Sequence, residues 1–141
     1  MAIRQVVYVS SGVREFSDRE IADLLDVARR HNQANGITGV LFYVRGNFLQ
    51  LLEGNDPALS DTLSRIRKDA RHRGVLLLGD DEVAARNFSD FQMAFRTGLD
   101  SSLVDRPDIL ELIEGRMPRG PNAKLGVLFE TFFRINSGRS F

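Results

Sequence analysis

The alternation of strand-like and helix-like segments predicts an α+β fold built on a sheet that is covered on both faces. The hydrophobic period changes between two and 3.6 residues in the order β α β β α β β over residues 3–98. Both faces of the first strand of the central hairpin are largely apolar, which is typical of a sheet with both faces covered. Two helices that flank a hairpin fall on one face of such a sheet. We therefore predict a ferredoxin-like sheet with an extra strand, two helices on one face and two C-terminal helices over the other.

The first strand and the first helix have clear signals. Residues 3–10 are rich in β-branched side chains, which favour a strand. Ser17 and Glu20 have the spacing of a capping box. Apolar residues then recur at helical spacing, at Ile21, Leu24, Leu25 and Ala28. The pattern predicts an amphipathic helix over about residues 18–32 that is stopped near Asn35-Gly36.

The central hairpin, residues 35–54, carries one polar side chain where its pattern asks for a hydrophobe. Period two places Gln50 on the same face as Phe48 and Leu52. A buried primary amide that is left unpaired costs about 1 to 3 kcal/mol, so Gln50 needs a partner. That partner is either backbone or a buried water, which is the commoner case, or a ligand on this face of the sheet.

A second helix and two strands follow the hairpin. Asn55 or Asp56 can cap the helix, which we expect to run into a basic segment and to break at Gly74. The cations of this segment are Arg65, Arg67, Lys68, Arg71, His72 and Arg73. Cations are electrostatically favoured at a helix C-terminus, so a solvated surface and a binding site explain the segment equally well. We predict a short buried strand over residues 74–83 and a last strand over residues 91–98.

The rest of the chain predicts the cover for the second face of the sheet. Residues 107–114 have the pattern of a short helix, and residues 122–133 that of a second one. The apolar side of the second helix consists of Leu125, Leu128, Phe129, Phe132 and Phe133. We therefore divide the chain into a domain at residues 1–100 and a C-terminal helical cap at residues 101–141.

Composition excludes several classes of function. Lys plus Arg equals Asp plus Glu at 19 each, so the net charge gives no reason to expect a nucleic-acid partner. The chain has no cysteine, which excludes a thiolate metal site or nucleophile. Its two histidines are too few for most metal clusters. No apolar run approaches the roughly 18 residues of a membrane-spanning helix. We expect a cytoplasmic chain that contacts neither nucleic acid nor membrane.

An ordered set of residues resembles one known family. The set consists of Tyr8 in the first strand, His31-Asn32 at the end of the first helix, GITG at 36–39, FLQLLEG at 48–54, Asp69 with Arg71-His72, and Met93. Each element is weak alone, but their order and spacing together are specific. Over residues 3–97 the chain resembles the BLUF family, the flavin-binding blue-light sensors.

The resemblance implies that FAD lies between the two helices of the predicted fold. It implies Leu24 and Ile66 on opposite sides of the isoalloxazine ring, Asn32 at the carbonyl and N–H edge of the ring, and Gln50 near N5 and the C4 carbonyl. The FAD phosphates would lie at the basic end of the second helix, and FMN or riboflavin could substitute if the ring supplies most of the affinity. The implied cofactor-binding residues are Tyr8, Leu24, Asn32, Gln50, Arg65, Ile66, Asp69, Arg71 and His72.

The resemblance also implies a reversible photochemical switch and no enzymatic turnover. In the family, light drives an electron and then a proton from the tyrosine, here Tyr8, through the glutamine to the flavin. Recombination leaves Gln50 rotated or tautomerised, with a stronger hydrogen bond to the C4 carbonyl and a small red shift. Met93 is the third implied switch residue, although a core gap-filler is an equally good interpretation of it. Many members carry Trp-Ser just before this Met, whereas this chain has Phe91-Gln92, and phenylalanine cannot donate the indole hydrogen bond.

The expected output is a signal to another protein. About 44 residues follow residue 97, too few for a cyclase or phosphodiesterase domain. We therefore expect a stand-alone sensor that acts on an unidentified downstream protein or through a homodimer.

Three other functions share parts of this pattern. An acylphosphatase-type enzyme needs a phosphate loop, and Arg45-Gly46-Asn47 is only a turn. An RNA-binding sheet of RRM type exposes aromatic residues on its central strands, where this chain has Tyr8 and Gln50. A constitutive flavin-binding protein without photochemistry is the nearest alternative, and a Gln50 that is silent to light would identify it.

Overall fold

The computed structural model describes residues 3–86, the backbone of residues 94–97, and residues 131–132. The elements in chain order are β1 (Ile3–Gly12), α1 (Asp18–Asn35), β2 (Thr38–Val44), β3 (Asn47–Gly54), α2 (Asp56–Lys68), β4 (His72–Val83) and β5 (Ala94–Thr97). The strands form one sheet in the order β4-β1-β3-β2-β5. β4, β1, β3 and β2 pair antiparallel, and β5 pairs parallel with β2. The predicted ferredoxin-like sheet with an extra strand is therefore confirmed.

Helix α1 has well-defined caps at both ends. The capping box is formed, because the Ser17 hydroxyl accepts from the Glu20 backbone N–H and the Glu20 carboxylate accepts from the Ser17 backbone N–H. The helix ends at Gly36, whose φ of 66° is left-handed and favours glycine. It therefore continues three residues past Asn32 to the predicted stop at Asn35-Gly36, where the left-handed cap ends it.

The hairpin of β2 and β3 lies at the centre of the sheet. Its loop is Arg45-Gly46, and both residues have positive φ, 50° and 82°, as a two-residue type I′ turn requires. Gln50 lies directly opposite Tyr8 on β1 and opposite Leu41 on β2. The turn sets the register of β2 against β3, and the separate antiparallel pairing of β1 with β3 brings Tyr8 and Gln50 together.

Both described helices pack on the face of the sheet that carries Tyr8 and Gln50. Ile21 and Leu25 of α1 and Leu59 and Leu63 of α2 form one buried cluster with strand residues. The strand residues of this cluster are Val6, Tyr8, Leu41, Tyr43, Phe48 and Leu52. The predicted placement of the two helices on one face is confirmed.

The opposite face of the sheet is buried as well. Its central residues are at most 2% exposed, namely Val7, Val40, Phe42, Leu49 and Leu51. The two helices predicted to cover this face lie outside the described residues except for Thr131 and Phe132, which are helical. Phe132 is 8% exposed. The division of the chain at residue 100 and the helical cap stay predictions.

The predicted end of α2 was wrong. The helix ends at Lys68 and Asp69 is its C-cap, so the cations of residues 71–73 do not belong to it. The Asp69 carboxylate accepts the backbone N–H of Arg71 at 2.9 Å, a side-chain turn that leads the chain out of the helix. Strand β4 then begins at His72, two residues before the expected start.

The predicted burial of β4 was also wrong. β4 has 12 residues and lies at the edge of the sheet. Val75 and Leu77 pack against the core, whereas Leu76 and Leu78 are 60% and 40% exposed. A run of four apolar residues fits a fully buried strand and a one-sided edge strand alike, so its composition could not distinguish them.

The last strand is described over Ala94–Thr97, which lies within the predicted residues 91–98. Phe91, Gln92 and Met93 lie outside the described residues, and the proposed role of Met93 stays a prediction.

Candidate functional site

A cleft lies between α1 and α2 above the sheet. Its empty volume is about 780 Å³, part of it open to solvent. All nine residues implied to bind a cofactor line it, namely Tyr8, Leu24, Asn32, Gln50, Arg65, Ile66, Asp69, Arg71 and His72. The fold thus brings together residues that are up to 64 positions apart in the sequence, from Tyr8 to His72.

The floor of the cleft contains a hydrogen bond between two buried side chains. Tyr8 is 3% and Gln50 is 6% exposed. The Tyr8 hydroxyl donates to Gln50 Oε1. Burial, together with the charge of Asp69, raises the pKa of Tyr8 above its ordinary value, so the phenol keeps its proton at neutral pH. The proton of Tyr8 therefore lies in a buried hydrogen bond to the Gln50 amide oxygen.

The walls of the cleft are branched aliphatic side chains. Leu24 comes from α1 and Ile66 from α2, and both are partly buried against the core cluster. The two lie on different helices on the same side of the sheet. Both faces of a flat apolar ring bound between them would be removed from water. Each 100 Å² of apolar area buried in this way stabilises binding by roughly 2.5 kcal/mol.

Asn32 brings a second buried amide to the cleft. It is 2% exposed and lies in the last turn of α1. Its backbone carbonyl accepts the N–H of Gly36, the helix cap, and that of Ile37 at 2.9 Å. The backbone below this side chain is therefore fixed at two points.

His72 lies beside Tyr8, and both nitrogens of its ring have protein partners. Nε2 lies 2.5 Å from the Ile66 carbonyl and Nδ1 lies 2.8 Å from the Ser10 hydroxyl. Because a carbonyl only accepts, Nε2 carries a proton. The His72 ring centroid is 6.4 Å from that of Tyr8 and 6.1 Å from that of Phe48. His72 therefore packs beside the Tyr8 ring. Because both of its ring nitrogens already have protein partners, it is a poorer candidate for a phosphate contact.

Two arginines lie at the rim of the cleft. Arg71 forms an ion pair with Asp69 at 2.5 Å. The Arg71 side chain, hydrogen-bonded to Asp69, holds the pKa of that carboxyl below its ordinary value. Arg65 donates to Nδ1 of His31. The rim thus offers one arginine already neutralised by a carboxylate and one that contacts an uncharged ring.

His31 and Thr62 line the cleft but were not singled out as site residues from the sequence. Arg65 and Asn35 both direct donors at His31 Nδ1, so this nitrogen is the acceptor and the ring is neutral. His31 Nε2 then donates to Thr62 Oγ1 at 3.0 Å. Burial, followed by the charge of Arg65, lowers the pKa of His31. The helical spacing of Thr62 from Leu59 and Ile66 was the available signal.

Other kinds of site find little support in the described part of the chain. Within it, no group of three or more His, Cys, Asp or Glu side chains is placed to hold a metal ion. None of the helices described there is long and apolar enough to cross a membrane.

Comparison with known proteins identifies the family. The model of BLUF, the sensors of blue-light using FAD, matches residues 3–94. Photoactivated adenylate cyclase subunit beta of Euglena longa is 37% identical over 71 residues, which are 50% of this chain and 8% of that protein. The blue light- and temperature-regulated antirepressor BluF of Escherichia coli (strain K12) is 30% identical over 95 residues, 67% of this chain and 23% of that protein. The chain thus spans less than a quarter of the length of either relative.

A solved structure has the same fold over nearly the whole chain. The dark-state structure of BlrB, a BLUF protein, superposes with a TM-score of 0.70 and covers 95% of this chain and 97% of that one at 24% identity. The family model describes a sensor, so residues 3–94 form a sensor module and not an enzyme. This chain belongs to the BLUF family, whose members sense blue light with a flavin.

Proposed function

We propose that this chain is a blue-light photoreceptor that binds FAD non-covalently in the cleft and switches the hydrogen bond between Tyr8 and Gln50 on illumination. The observation that carries the proposal is this buried phenol–amide hydrogen bond at the floor of an apolar cleft. It joins an oxidisable side chain that has a proton to a side chain that can act as donor or acceptor.

The residues of the cleft fit a flavin. Leu24 and Ile66 offer apolar surfaces from two helices for the two faces of the ring. Asn32 and Gln50 offer amide donors and acceptors, which suit the alternating carbonyl and nitrogen edge of the ring system. An apolar cleft with a few fixed polar groups is typical of a cofactor site.

The rim supports a cofactor with a phosphate tail. Arg65 and Arg71 both line the cleft, and guanidinium groups bind phosphate well. Because Asp69 already neutralises Arg71, we expect Arg65 to contribute more to phosphate binding than Arg71. The contribution of an exposed pair is small, about 0 to 1 kcal/mol. FMN and riboflavin are therefore expected to substitute with modest losses.

The switch follows from what Tyr8 and Gln50 can do. When bound, the flavin supplies light absorption and an electron-accepting ring. Tyr8 gives up one electron and its hydroxyl proton, and Gln50 passes the proton on. When both return to Tyr8, Gln50 is left rotated or tautomerised, with its hydrogen bonds exchanged. No atom is consumed, and relaxation of Gln50 restores the dark state.

Tyr8 is the only tyrosine placed to act as the donor. The chain has two tyrosines and no tryptophan. The other tyrosine, Tyr43, does not line the cleft. Its hydroxyl accepts the backbone N–H of Phe16 at 2.8 Å. An exchange of Trp and Met positions, described for many family members, has no Trp here.

The output is proposed to be a change in binding to a separate protein or to a second copy of the chain. One relative is named as an antirepressor and another as a cyclase subunit, so BLUF modules act on different effectors. The downstream partner, the dimer and the cytoplasmic location stay predictions.

Absorption spectroscopy tests the proposal. The purified protein, reconstituted with FAD, is measured in darkness, after a blue flash and during recovery. We expect a bound-flavin spectrum that shifts to the red and returns. Bound flavin that shows no shift would favour a constitutive flavin protein, and failure to bind FAD would contradict the proposal.

A further inference from the structure

Arg86, just beyond β4, joins three separate parts of the fold. Its guanidinium Nη1 donates to Thr38 Oγ1 of β2 at 2.9 Å and to the Glu53 carbonyl of β3 at 3.0 Å. Its Nη2 donates to the carbonyl of Gly36, the cap of α1, at 2.6 Å. We call these three hydrogen bonds the Arg86 clip.

The clip reaches the cleft through the end of α1. Gly36, whose carbonyl Arg86 holds, donates its own N–H to the Asn32 carbonyl. Ile37 donates to the same carbonyl at 2.9 Å. Arg86 therefore holds the corner between α1 and β2 on which the Asn32 backbone depends. Two hydrogen bonds in series connect a residue of the cleft to the chain that leaves β4.

The clip is also anchored to the strand that carries Gln50. Glu53 lies three residues after Gln50 in β3 and is 0% exposed. Its carboxylate accepts from Gln5 Nε2 at 2.9 Å, and Gln5 and Thr38 flank it on the neighbouring strands. The Glu53 carbonyl, which accepts from Arg86, is therefore held firmly within the sheet. A shift of β3 at Gln50 would move this carbonyl together with the strand.

A second arginine shows how this differs from an ordinary surface contact. Arg4 also makes three side-chain contacts, to Asp80, Asp56 and Ser60. Its carboxylate partners are 39% and 74% exposed, so water can replace them. Arg86 instead binds two backbone carbonyls, whose positions the sheet and the helix cap determine.

We propose that Arg86 is a positioning residue of the switch: it holds the corner that carries Asn32 and couples the state of the cleft to the segment that follows β4. This inference rests on the proposed function. Further along the chain, β5 pairs with β2 from Val40 to Tyr43. Because coupling between two sites is reciprocal, the clip that responds to the cleft also sets the relative stability of its two states.

Three variants test the clip in the full chain loaded with FAD. Arg86→Met removes the donors and keeps the length of the side chain, and Thr38→Val removes one acceptor. Arg4→Met is the matched control, because it removes a three-contact arginine that has no link to Asn32. The first readout is the rate of dark recovery after a blue flash. The second is hydrogen exchange of the Gly36 and Ile37 amides.

We expect Arg86→Met to keep the red shift and to change the recovery rate by about fivefold or more, the lower end of typical coupling. The Gly36 and Ile37 amides should exchange faster. Thr38→Val should change both readouts in the same direction as Arg86→Met but by a smaller amount. It also provides the test of the clip if Arg86→Met does not fold. Arg4→Met should leave both readouts at the wild-type values.

Two results would overturn the inference. One is an unchanged recovery rate in Arg86→Met and Thr38→Val, and the other is an equal change in Arg4→Met, which would reflect general loosening. If the wild-type protein shows no photocycle, the proposed function fails separately. Amide exchange in the flavin-free protein then still tests the clip, and no acceleration in Arg86→Met would reject it.

Discussion

Tyr8 and Tyr43 lie on the same face of the sheet and are buried to a similar degree, at 3% and 6% exposed, but their hydroxyl groups have different partners. Tyr8 donates to the side-chain amide of Gln50, whereas Tyr43 accepts from the backbone N–H of Phe16. A backbone N–H is fixed by the chain, while a side-chain amide can rotate and exchange donor for acceptor. Burial alone would therefore not make a tyrosine the proposed switch. Its partner must be able to change.

The two tyrosines also have different surroundings. Tyr43 is packed among aromatic rings, with Phe16 at 6.3 Å and Phe48 at 4.8 Å between centroids. Tyr8 borders the cleft, with His72 at 6.4 Å. Phe48 belongs to both regions, because it lines the cleft and packs on Tyr43. One tyrosine therefore closes the end of the core, and the other faces space for a ligand.

The largest expected effect comes from removing the partner that can change. Gln50→Leu should abolish the light-induced red shift while flavin still binds. It should also lower the free energy of unfolding by about 1 to 3 kcal/mol, because the Tyr8 hydroxyl loses its acceptor. Gln50→Glu should lose the normal switch as well, since an ionised carboxylate has no donor. Difference spectra and denaturant unfolding measure both effects, and a normal red shift in either variant would remove Gln50 from the mechanism.

The next largest effect is on flavin affinity, which should depend on the cleft and not on the aromatic residues around Tyr43. Ile66→Ala should weaken flavin binding by about tenfold, since partial loss of an apolar wall costs on the order of 1.4 kcal/mol. Phe16→Ala, beside Tyr43, should lower stability and leave flavin affinity unchanged. Titration with FAD followed by flavin fluorescence measures both. Equal losses of affinity in the two variants would mean that Ile66 does not contact the ring.

Alkaline titration distinguishes the two tyrosines by their pKa. Burial raises the pKa of both, and more strongly for Tyr8. In each case the unfolded chain loses its proton first, at about pH 10, while the folded protein keeps it. Stability should therefore be unaffected below about pH 10 and fall as the pH rises further. Ultraviolet difference titration of Tyr8→Phe and Tyr43→Phe assigns the steps, and ionisation of Tyr8 before Tyr43 would contradict this order.

The smallest effect on the switch is expected for Tyr43→Phe. The variant should keep the red shift and its recovery, because Tyr43 does not line the cleft. It should lose about 1 to 3 kcal/mol of stability, since the Phe16 N–H loses its acceptor in a partly buried place. Urea unfolding and flash spectroscopy measure the two quantities. A lost red shift here would implicate Tyr43 in the photochemistry.

The features that could be predicted from the sequence are those that depend on hydrophobic periodicity and on helix caps. The ferredoxin-like order, the capping box at Ser17 and the face shared by Phe48, Gln50 and Leu52 all follow from local patterns. That Tyr8 lies directly opposite Gln50 depends on the register of β1 against β3, two strands that are far apart in the sequence and that no local turn joins. A neighbouring register would have kept the elements and separated the pair.

The features that the sequence missed depend on tertiary contacts. The basic residues after Lys68 continue a helical composition, and only the turn at Asp69 directs His72 to Tyr8. The exposed side of β4 depends on its place at the sheet edge, which an apolar run does not encode. The Arg86 clip joins residues that are 33 to 50 positions apart. No local pattern indicates such an arginine.

If the bond from Tyr8 to Gln50 is the switch, as proposed, the Tyr8→Phe variant removes the hydroxyl on which it depends. Its FAD-loaded form is measured beside the wild type and Tyr43→Phe, as visible spectra before and after the same blue flash. We predict that all three bind flavin, that the wild type and Tyr43→Phe shift to the red and recover, and that Tyr8→Phe shows no shift. A normal, recovering red shift in Tyr8→Phe would contradict the account.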